Sequence, residues 1–201
     1  MIAPAVPRRL LTLGLLLALA GCGGAPVVYQ PLRYTYLTKL HLNVGTIEID
    51  DSWVPVGNAQ HVEYLAPETP LAALRQMAQD RLVPSGSTGR AVFTIDDASI
   101  IKANAIYEGS VGVHLDIIDA AGKRLARARA QVQARHDITD TDEATVRADL
   151  DALTRSLMDR MNVEFEYQAR KSLGAQLQAG TPVAPAPAAV QQQDLGAPPK
   201  N

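Results

Sequence analysis

The chain has 201 residues, of which 47% are hydrophobic and 4% aromatic, and its formal net charge at pH 7 is −2. This length fits one domain with appendages, and the small negative charge excludes a globally basic nucleic-acid-binding protein. A single cysteine excludes an intramolecular disulfide, so the core must be held together by the packing of mainly aliphatic side chains.

Residues 1–21 have the three parts of a signal peptide. Two arginines precede an apolar run over residues 10–20, and Gly21 lies directly before Cys22. The run is much shorter than the roughly 20 residues that cross a bilayer as a helix. It is therefore too short for a transmembrane anchor and has the length typical of an export signal.

The sequence Leu19-Ala20-Gly21-Cys22 closely resembles the bacterial lipobox. The resemblance implies cleavage before the cysteine and the attachment of acyl chains to it. Because three chains hold a protein far more firmly than one, we expect stable anchoring through Cys22 to a bacterial membrane, facing the periplasm. Gly23 follows in place of an aspartate, which in the enterobacterial sorting pattern favours the outer membrane over the inner. The alternative is an ordinary signal peptide followed by an unrelated free thiol.

Two segments flank the predicted domain of residues 39–177. Residues 22–38 contain glycine and proline without a clear period and predict a tether. Their tyrosines either lie at the level of the lipid headgroups or pack against the domain as an irregular first strand. Residues 178–201 are rich in Pro, Ala and Gln and predict a disordered tail.

The predicted domain begins with residues 39–50, where apolar and polar residues alternate. Leu40 and Leu42 share one phase with Val44, and two isoleucines beyond Gly45 resume in the opposite phase. A change of phase beside a glycine is typical of a β-bulge. We therefore predict one bulged strand.

A short amphipathic helix follows over residues 68–82. Thr69 suits the N-cap and Pro70 the first helical position. The apolar face that this spacing predicts consists of Leu71, Leu74, Ala78 and Leu82.

Three strands come next. Residues 90–101 alternate and change phase beyond a pair of aspartates, and residues 109–119 alternate throughout. Residues 124–136 place alanines and a valine on one face and arginines and glutamines on the other. A glycine within residues 120–124 predicts a hairpin turn between the last two strands.

The segment from Asp137 to Leu173 has the strongest helical period in the chain. Asp140 and Glu143 form a capping-box-like pattern at its start. A helix over residues 141–173 would be about 50 Å long at 1.5 Å per residue, so we expect its C-terminal turns to project from the sheet or to bend. Two pairs at i,i+4 spacing suit its solvent face: Asp151 with Arg155, and Glu166 with Arg170.

Together these elements predict an α+β domain of two layers. We expect a four-stranded, mostly antiparallel sheet with both helices on one face, in the order β-α-β-β-β-α.

No motif for catalysis or metal binding stands out. The four histidines share no zinc-site spacing, and the loop of residues 85–89 lacks the lysine and the spacing of a phosphate-binding loop. The acids of residues 137–143 suggest a calcium site but lack the EF-hand spacing, and capping and the helix dipole account for them. Neighbouring aspartates at residues 50–51 and 96–97 would point to opposite faces of a strand. We therefore expect no enzyme, no cofactor and no metal.

One face of the last predicted strand carries Arg127, Arg129 and Arg135. Guanidinium groups bind phosphates and carboxylates through two parallel hydrogen bonds, so these arginines are candidates for contact with anionic lipid or a partner protein. The alternative is a solvated outer face, paired with Asp116 on the preceding strand.

The order of elements behind the lipobox, with the turn sequence DAAGKRLARARA, resembles two groups of bacterial envelope lipoproteins. One group is the LptE-type lipopolysaccharide-assembly lipoproteins, and the other is the auxiliary lipoproteins of lipid-trafficking ABC transporters. Both resemblances imply a non-enzymatic partner in envelope lipid transport or outer-membrane assembly. The alternative is a structural lipoprotein that binds another envelope protein through its long C-terminal helix or its tail, and neither function involves nucleic acid.

Overall fold

The computed structural model describes residues 27–57 and 60–177. The predicted signal peptide, Cys22 and the predicted tail of residues 178–201 lie outside the described residues. Residues 27–30 belong to a separate short unit and contain neither helix nor strand. The main unit begins at Pro31.

Strands and helices occupy most of the main unit. They are β1 (Leu40–Leu42), β2 (Thr46–Asp50), α1 (Pro70–Arg81), β3 (Leu82–Pro84), β4 (Arg90–Ala103), β5 (Ile106–Ile118), β6 (Arg124–Asp137) and α2 (Glu143–Leu173), with 3-10 turns at Glu63–Leu65 and Gly174–Gln176.

The larger sheet has the strand order β2-β4-β5-β6. β2 is parallel to β4, whereas β4, β5 and β6 form two successive antiparallel hairpins. β1 and β3 pair in parallel as a separate two-stranded sheet. The predicted α+β fold with a four-stranded, mostly antiparallel sheet is confirmed, and the small second sheet adds two strands to the predicted order.

The helices cover one face of the larger sheet. Phe93 of β4 meets Phe165 of α2 edge to face, with ring centroids 5.5 Å apart. Gly109 of β5 lies so close to α2 that a Cβ atom there would be 2.5 Å from a methyl carbon of Leu157. The strand residues on this face are fully or almost fully buried: Ala91, Phe93, Ile95, Val111, Val113, Leu115 and Ile117.

Two details of the strands agree with the sequence. The register between β4 and β5 shifts between Ile95 and Asp97, which is the bulge that the change of phase predicts. The turn between β5 and β6 is closed by Gly122, whose φ of 83° suits glycine and whose N–H donates to the Asp119 carbonyl at 3.1 Å.

The prediction of one bulged strand over residues 39–50 is wrong. β1 and β2 belong to different sheets, and between them the Gly45 N–H donates to the carbonyls of Thr88 and Gly89. The change of phase marks the point at which the chain leaves one sheet for the other. Even-numbered residues are the buried ones in β1, whereas odd-numbered residues are the more buried ones in β2.

α1 begins as predicted, but its buried face is rotated. Thr69 Oγ1 accepts a hydrogen bond from the Ala72 N–H at 3.2 Å, and Pro70 occupies the first position. Leu71 is only half-buried, whereas Arg81 is buried. Leu82 lies beyond the helix, in β3.

Arg81 is enclosed where α1, α2 and the segment before β1 meet. Its side chain is 1% exposed, and its guanidinium donates to the Thr38 carbonyl. It also donates to the backbone carbonyl and side-chain oxygen of Asn162, and to Glu166 Oε2 at 2.5 Å. The charge is therefore buried with all five of its N–H donors hydrogen-bonded.

The start of α2 differs from the prediction by two residues. Asp142, rather than Asp140, is the N-cap, and its Oδ1 accepts from the N–H groups of Ala144 and Thr145 at 3.1 Å. Asp140 instead accepts from the N–H of Thr141. Both carboxylates therefore accept hydrogen bonds from backbone N–H groups at the start of the helix.

The expected projection of the C-terminal turns of α2 is wrong. Ala169 and Leu173 are buried, and just beyond the helix the Gln176 carbonyl accepts from the Asn43 N–H at 2.9 Å. The chain that follows these turns is hydrogen-bonded to the end of β1, so the C-terminal end of the helix is packed against the rest of the domain. The two predicted i,i+4 pairs are present, Arg155 with Asp151 at 2.8 Å and Arg170 with Glu166 at 2.9 Å.

The packed part of the chain reaches back to residues 31–38, within the predicted tether. The Leu32 N–H donates to Glu68 Oε2 at 2.6 Å, and the Tyr34 N–H donates to Asp80 Oδ2 at 2.8 Å. Tyr34 is 1% exposed, so this tyrosine packs against the domain, whereas Tyr36 is 74% exposed.

In the described part of the chain, no helix is both long enough and apolar enough to cross a membrane.

Candidate functional site

The three arginines of the candidate site lie on the sheet face opposite the helices, which we call the open face. Even-numbered alanines of β6 are buried against the helices, so the odd-numbered residues point the other way. Arg127, Arg129 and Arg135 therefore share one surface, as the alternation in the sequence predicts.

Arg127 is held by a bidentate ion pair with Asp116. Its Nε and Nη2 atoms donate to the two carboxylate oxygens, each at 2.5 Å, because the register of β5 and β6 places the two residues directly opposite each other. The hydrogen bond from Arg127 lowers the pKa of Asp116, and the same bond raises the pKa of Arg127. Asp116 thus occupies the Nε–Nη2 edge of Arg127, and the Nη1 atom is left to donate to a ligand.

Arg129 and Arg135 are held more loosely. Their side chains are 64% and 76% exposed, and they lie 3.9 Å from Asp96 and 3.1 Å from Glu108, respectively. Each arginine lines a shallow depression, of about 280 Å³ at Arg129 and about 180 Å³ at Arg135. Both arginines have donors within reach of a ligand from solvent, although an anionic ligand has to compete with the two carboxylates.

The rest of the open face is a mosaic of opposite charges. Arg90 lies 3.6 Å from Glu48, and His114 Nδ1 lies 2.8 Å from Asp96. Because carboxylates accompany the cations, an anionic ligand would be recognised here by local geometry rather than by a strong field.

The histidines lie at separate places with separate partners. They contact Ser85 (His41), Glu63 (His61), Asp96 (His114) and Asp149 (His136). Within residues 27–57 and 60–177, no group of three or more His, Cys, Asp or Glu side chains is placed to hold a metal ion.

The neighbouring aspartates have structural partners of their own. Asp50 accepts from Ser52, which lowers its pKa, and Asp51 pairs with Arg75. Asp97 follows the bulge and accepts from the Ser99 N–H at 3.1 Å. Neither pair forms an acid/base site.

A second surface was not singled out by the sequence analysis. Between α2 and the outer edge of β6 lies a groove of about 590 Å³, with Val132 and Val163 among its lining residues. Val163 is 72% exposed, and Tyr167, one turn further along α2, is 56% exposed. The sequence does contain a sign of this surface, because Val163 and Tyr167 fall outside the stripe of regularly spaced apolar residues that α2 buries.

Cys22, the predicted lipidation site, lies outside the described residues.

No protein-family model matches the chain, and no curated protein matches it. Among solved structures, the chain is similar to a Xanthomonas campestris protein of the family DUF330, with a TM-score of 0.39 and 7% identity over 72% of this chain and 93% of that one. It is also similar to a Caulobacter crescentus protein named "putative lipoprotein", with a TM-score of 0.31 and 17% identity over 61% of this chain and 90% of that one. Likenesses of this degree say nothing of ligand or activity.

Proposed function

We propose that this chain is a lipoprotein anchored through Cys22 to the periplasmic face of a bacterial membrane, the outer rather than the inner. We further propose that it acts there without enzymatic activity, as a partner in envelope lipid transport or outer-membrane assembly. The lipobox before Gly23 supports the anchor, and the observation that carries the role is the open face with its two accessible arginines, Arg129 and Arg135.

The anchor is tested by Cys22→Ser in cells. We expect the unchanged chain to float with membranes and the variant to lose acylation and to leave the outer-membrane fraction. Retention of the variant with outer membranes to the same extent would contradict anchoring through this residue.

The role of the open face is tested with the unacylated chain from residue 22 onward and vesicles containing an anionic lipid. Changing Arg127, Arg129 and Arg135 together to alanine is expected to weaken binding at low salt, because the guanidinium donors are lost. The matched control removes three exposed cations elsewhere, at Arg33, Lys39 and Lys171. Equal retention of both variants would contradict lipid contact at the open face.

A second function is favoured by the exposed Val163 and Tyr167 of α2. These apolar side chains suit a structural lipoprotein that binds another envelope protein through this helix. A photo-crosslinking amino acid at Val163, compared with one at Thr94 on the open face, separates the two functions. Crosslinks to protein from position 163 alone favour the second, and crosslinks to lipid from position 94 favour the first.

A further inference from the structure

The outer edge of β6 has no strand beside it in the described part of the chain. Beyond the end of β6, the Ile138 N–H donates to the Ala105 carbonyl, which continues the β5–β6 register. The backbone N–H and C=O groups of the even-numbered residues of β6 are therefore hydrogen-bonded to β5. Those of the odd-numbered residues point away from β5, towards the outer edge of the sheet. The Gln133 carbonyl agrees with this, because it accepts from Arg160 Nη1 of α2 at 3.3 Å.

Next to this edge is the groove beneath α2. Val132 and Val163 provide its apolar surface, and the charged side chains of Asp159, Arg160 and Glu164 form its rim. A free strand edge beside a helix is an arrangement in which proteins accept an extended peptide as an additional strand, with backbone hydrogen bonds giving affinity and side-chain contacts giving selectivity.

We propose that the outer edge of β6 binds an extended, acidic segment of a partner protein as an added antiparallel strand. On the open face its carboxylates lie beside Arg127, Arg129 and Arg135, and on the other face its apolar side chains enter the groove at Val132 and Val163. This proposal refines the second function, and rests on it, by specifying the kind of segment that is bound.

Charge decides between the candidate occupants. On its open face β6 has three arginines and, at its last residue, the carboxylate of Asp137, so pairing two copies of β6 would bring six arginines onto one face with a single terminal acid on each strand. Residues 178–201 contain one acid, Asp194, and residues 1–26 contain none. A segment from another protein, with several carboxylates, complements this edge best.

The spacing of the arginines determines the pattern of that segment. Residues directly opposite each other in an antiparallel pair share a face, so carboxylates belong opposite Arg127, Arg129 and Arg135. Arg127 and Arg135 are eight positions apart, which is about 27 Å along a strand. The bound segment is therefore at least nine residues long and alternates, with apolar residues at the positions between.

The test uses a labelled peptide, acetyl-Glu-Val-Thr-Val-Thr-Val-Glu-Val-Glu-amide, and the unacylated chain from residue 22 onward. This peptide places its glutamates opposite the three arginines. The control peptide has lysine in place of each glutamate. We expect the glutamate peptide to bind at least about tenfold more tightly in fluorescence anisotropy and to slow hydrogen exchange at the odd-numbered N–H groups of β6. Equal binding of both peptides, or no binding of either, would overturn the proposal.

The matched variants are Gln131→Pro and Gln131→Ala. The Gln131 N–H points outward, so proline there removes a bond to the added strand without breaking the β5–β6 ladder. We expect Gln131→Pro to weaken binding about tenfold or more, and Gln131→Ala to bind like the unchanged chain. If the proline variant is unfolded by circular dichroism, Arg129→Glu with Arg135→Glu replaces it, and it should prefer the lysine peptide. A folded edge variant that binds the glutamate peptide unchanged would contradict strand addition.

The added strand can be disproved while the second function, partner binding through α2, still holds. If Val163 crosslinks to an envelope protein but Gln131→Pro and the arginine reversals leave that crosslink intact, α2 binds a partner and the proposed edge strand is wrong.

Discussion

Arg81 shows how one buried charge can hold several elements together. It lies on α1, yet its partners belong to the segment before β1 and to α2. Burial alone would raise the pKa of Glu166, but the hydrogen bonds from Arg170 and Arg81 lower it overall. The carboxylate is thus kept charged where it receives Arg81.

Replacing Arg81 by leucine should destabilise the domain by about 3 kcal/mol, because the partner oxygens lose their donors in the interior. The matched control is Arg170→Ala, which removes the exposed partner of the same Glu166 and should cost less than about 1 kcal/mol. Urea unfolding measures both. Equal effects of the two changes would contradict the role given to Arg81.

The pair between Asp116 and Arg127 should make stability depend on pH. Because the folded pKa of Asp116 is lowered, the pair stabilises the domain above the unfolded pKa of about 3.9 and is lost as the pH falls through the folded value.

Asp116→Asn should cost about 1–2 kcal/mol at pH 7 and progressively less as the pH falls below about 4. Thermal unfolding at several pH values measures the difference between the unchanged chain and the variant. Glu48→Gln, in the exposed pair with Arg90, is the control and should change little at any pH. A difference for Asp116→Asn that stays constant down to pH 3 would show that charge pairing is not its cause.

At the scale of elements, the contact between β5 and α2 requires a glycine. A Cβ at position 109 would be 2.5 Å from Leu157 Cδ1, and Leu157 is fully buried, so its methyl group has little room to move.

Gly109→Ala should cost about 1–3 kcal/mol through overpacking, and the double variant with Leu157→Ala should lose less than the sum of the two single changes. Gly112→Ala is the control within the same strand, since a Cβ there would meet Asp97 Cβ at an ordinary 3.5 Å on the open face. Chemical denaturation of the unchanged chain, the two single variants and the double variant gives the coupling energy between positions 109 and 157. Strictly additive costs would contradict the contact.

Local signals predicted most of these elements correctly. Thr69 and Pro70 mark the start of α1, and the alternation from Arg124 onward predicts both the strand β6 and its two faces. Errors arose where a long-range contact decided the outcome. β1 and β2 read as one strand because only their partners, β3 and β4, assign them to different sheets.

At the scale of the whole molecule, the chain beyond α2 is part of the fold as far as Leu177. Leu177 forms an isolated antiparallel bridge with Leu42, and the Asn43 N–H is bonded to the Gln176 carbonyl. The end of α2 and the small sheet therefore stabilise each other.

Ending the chain after Leu173 should cost about 1–2 kcal/mol, through the lost hydrogen bond and the exposure of apolar surface at β1. Ending it after Leu177 should leave the thermal midpoint unchanged, because the composition of residues 178–201 predicts disorder. Differential scanning calorimetry compares the two truncations. A lower midpoint after removal of residues 178–201 alone would contradict the predicted tail.

The sequence by itself determined the expected membrane address at Cys22, the positions of both helices and the four-stranded sheet, and the common face of Arg127, Arg129 and Arg135. These features follow from local spacing and from the period of the apolar residues. Only the tertiary structure decided that Asp116 holds Arg127, that Arg81 is buried, and that the outer edge of β6 lies beside a groove under α2. Each of these depends on residues far apart in the chain, whose proximity is set by packing rather than by local pattern.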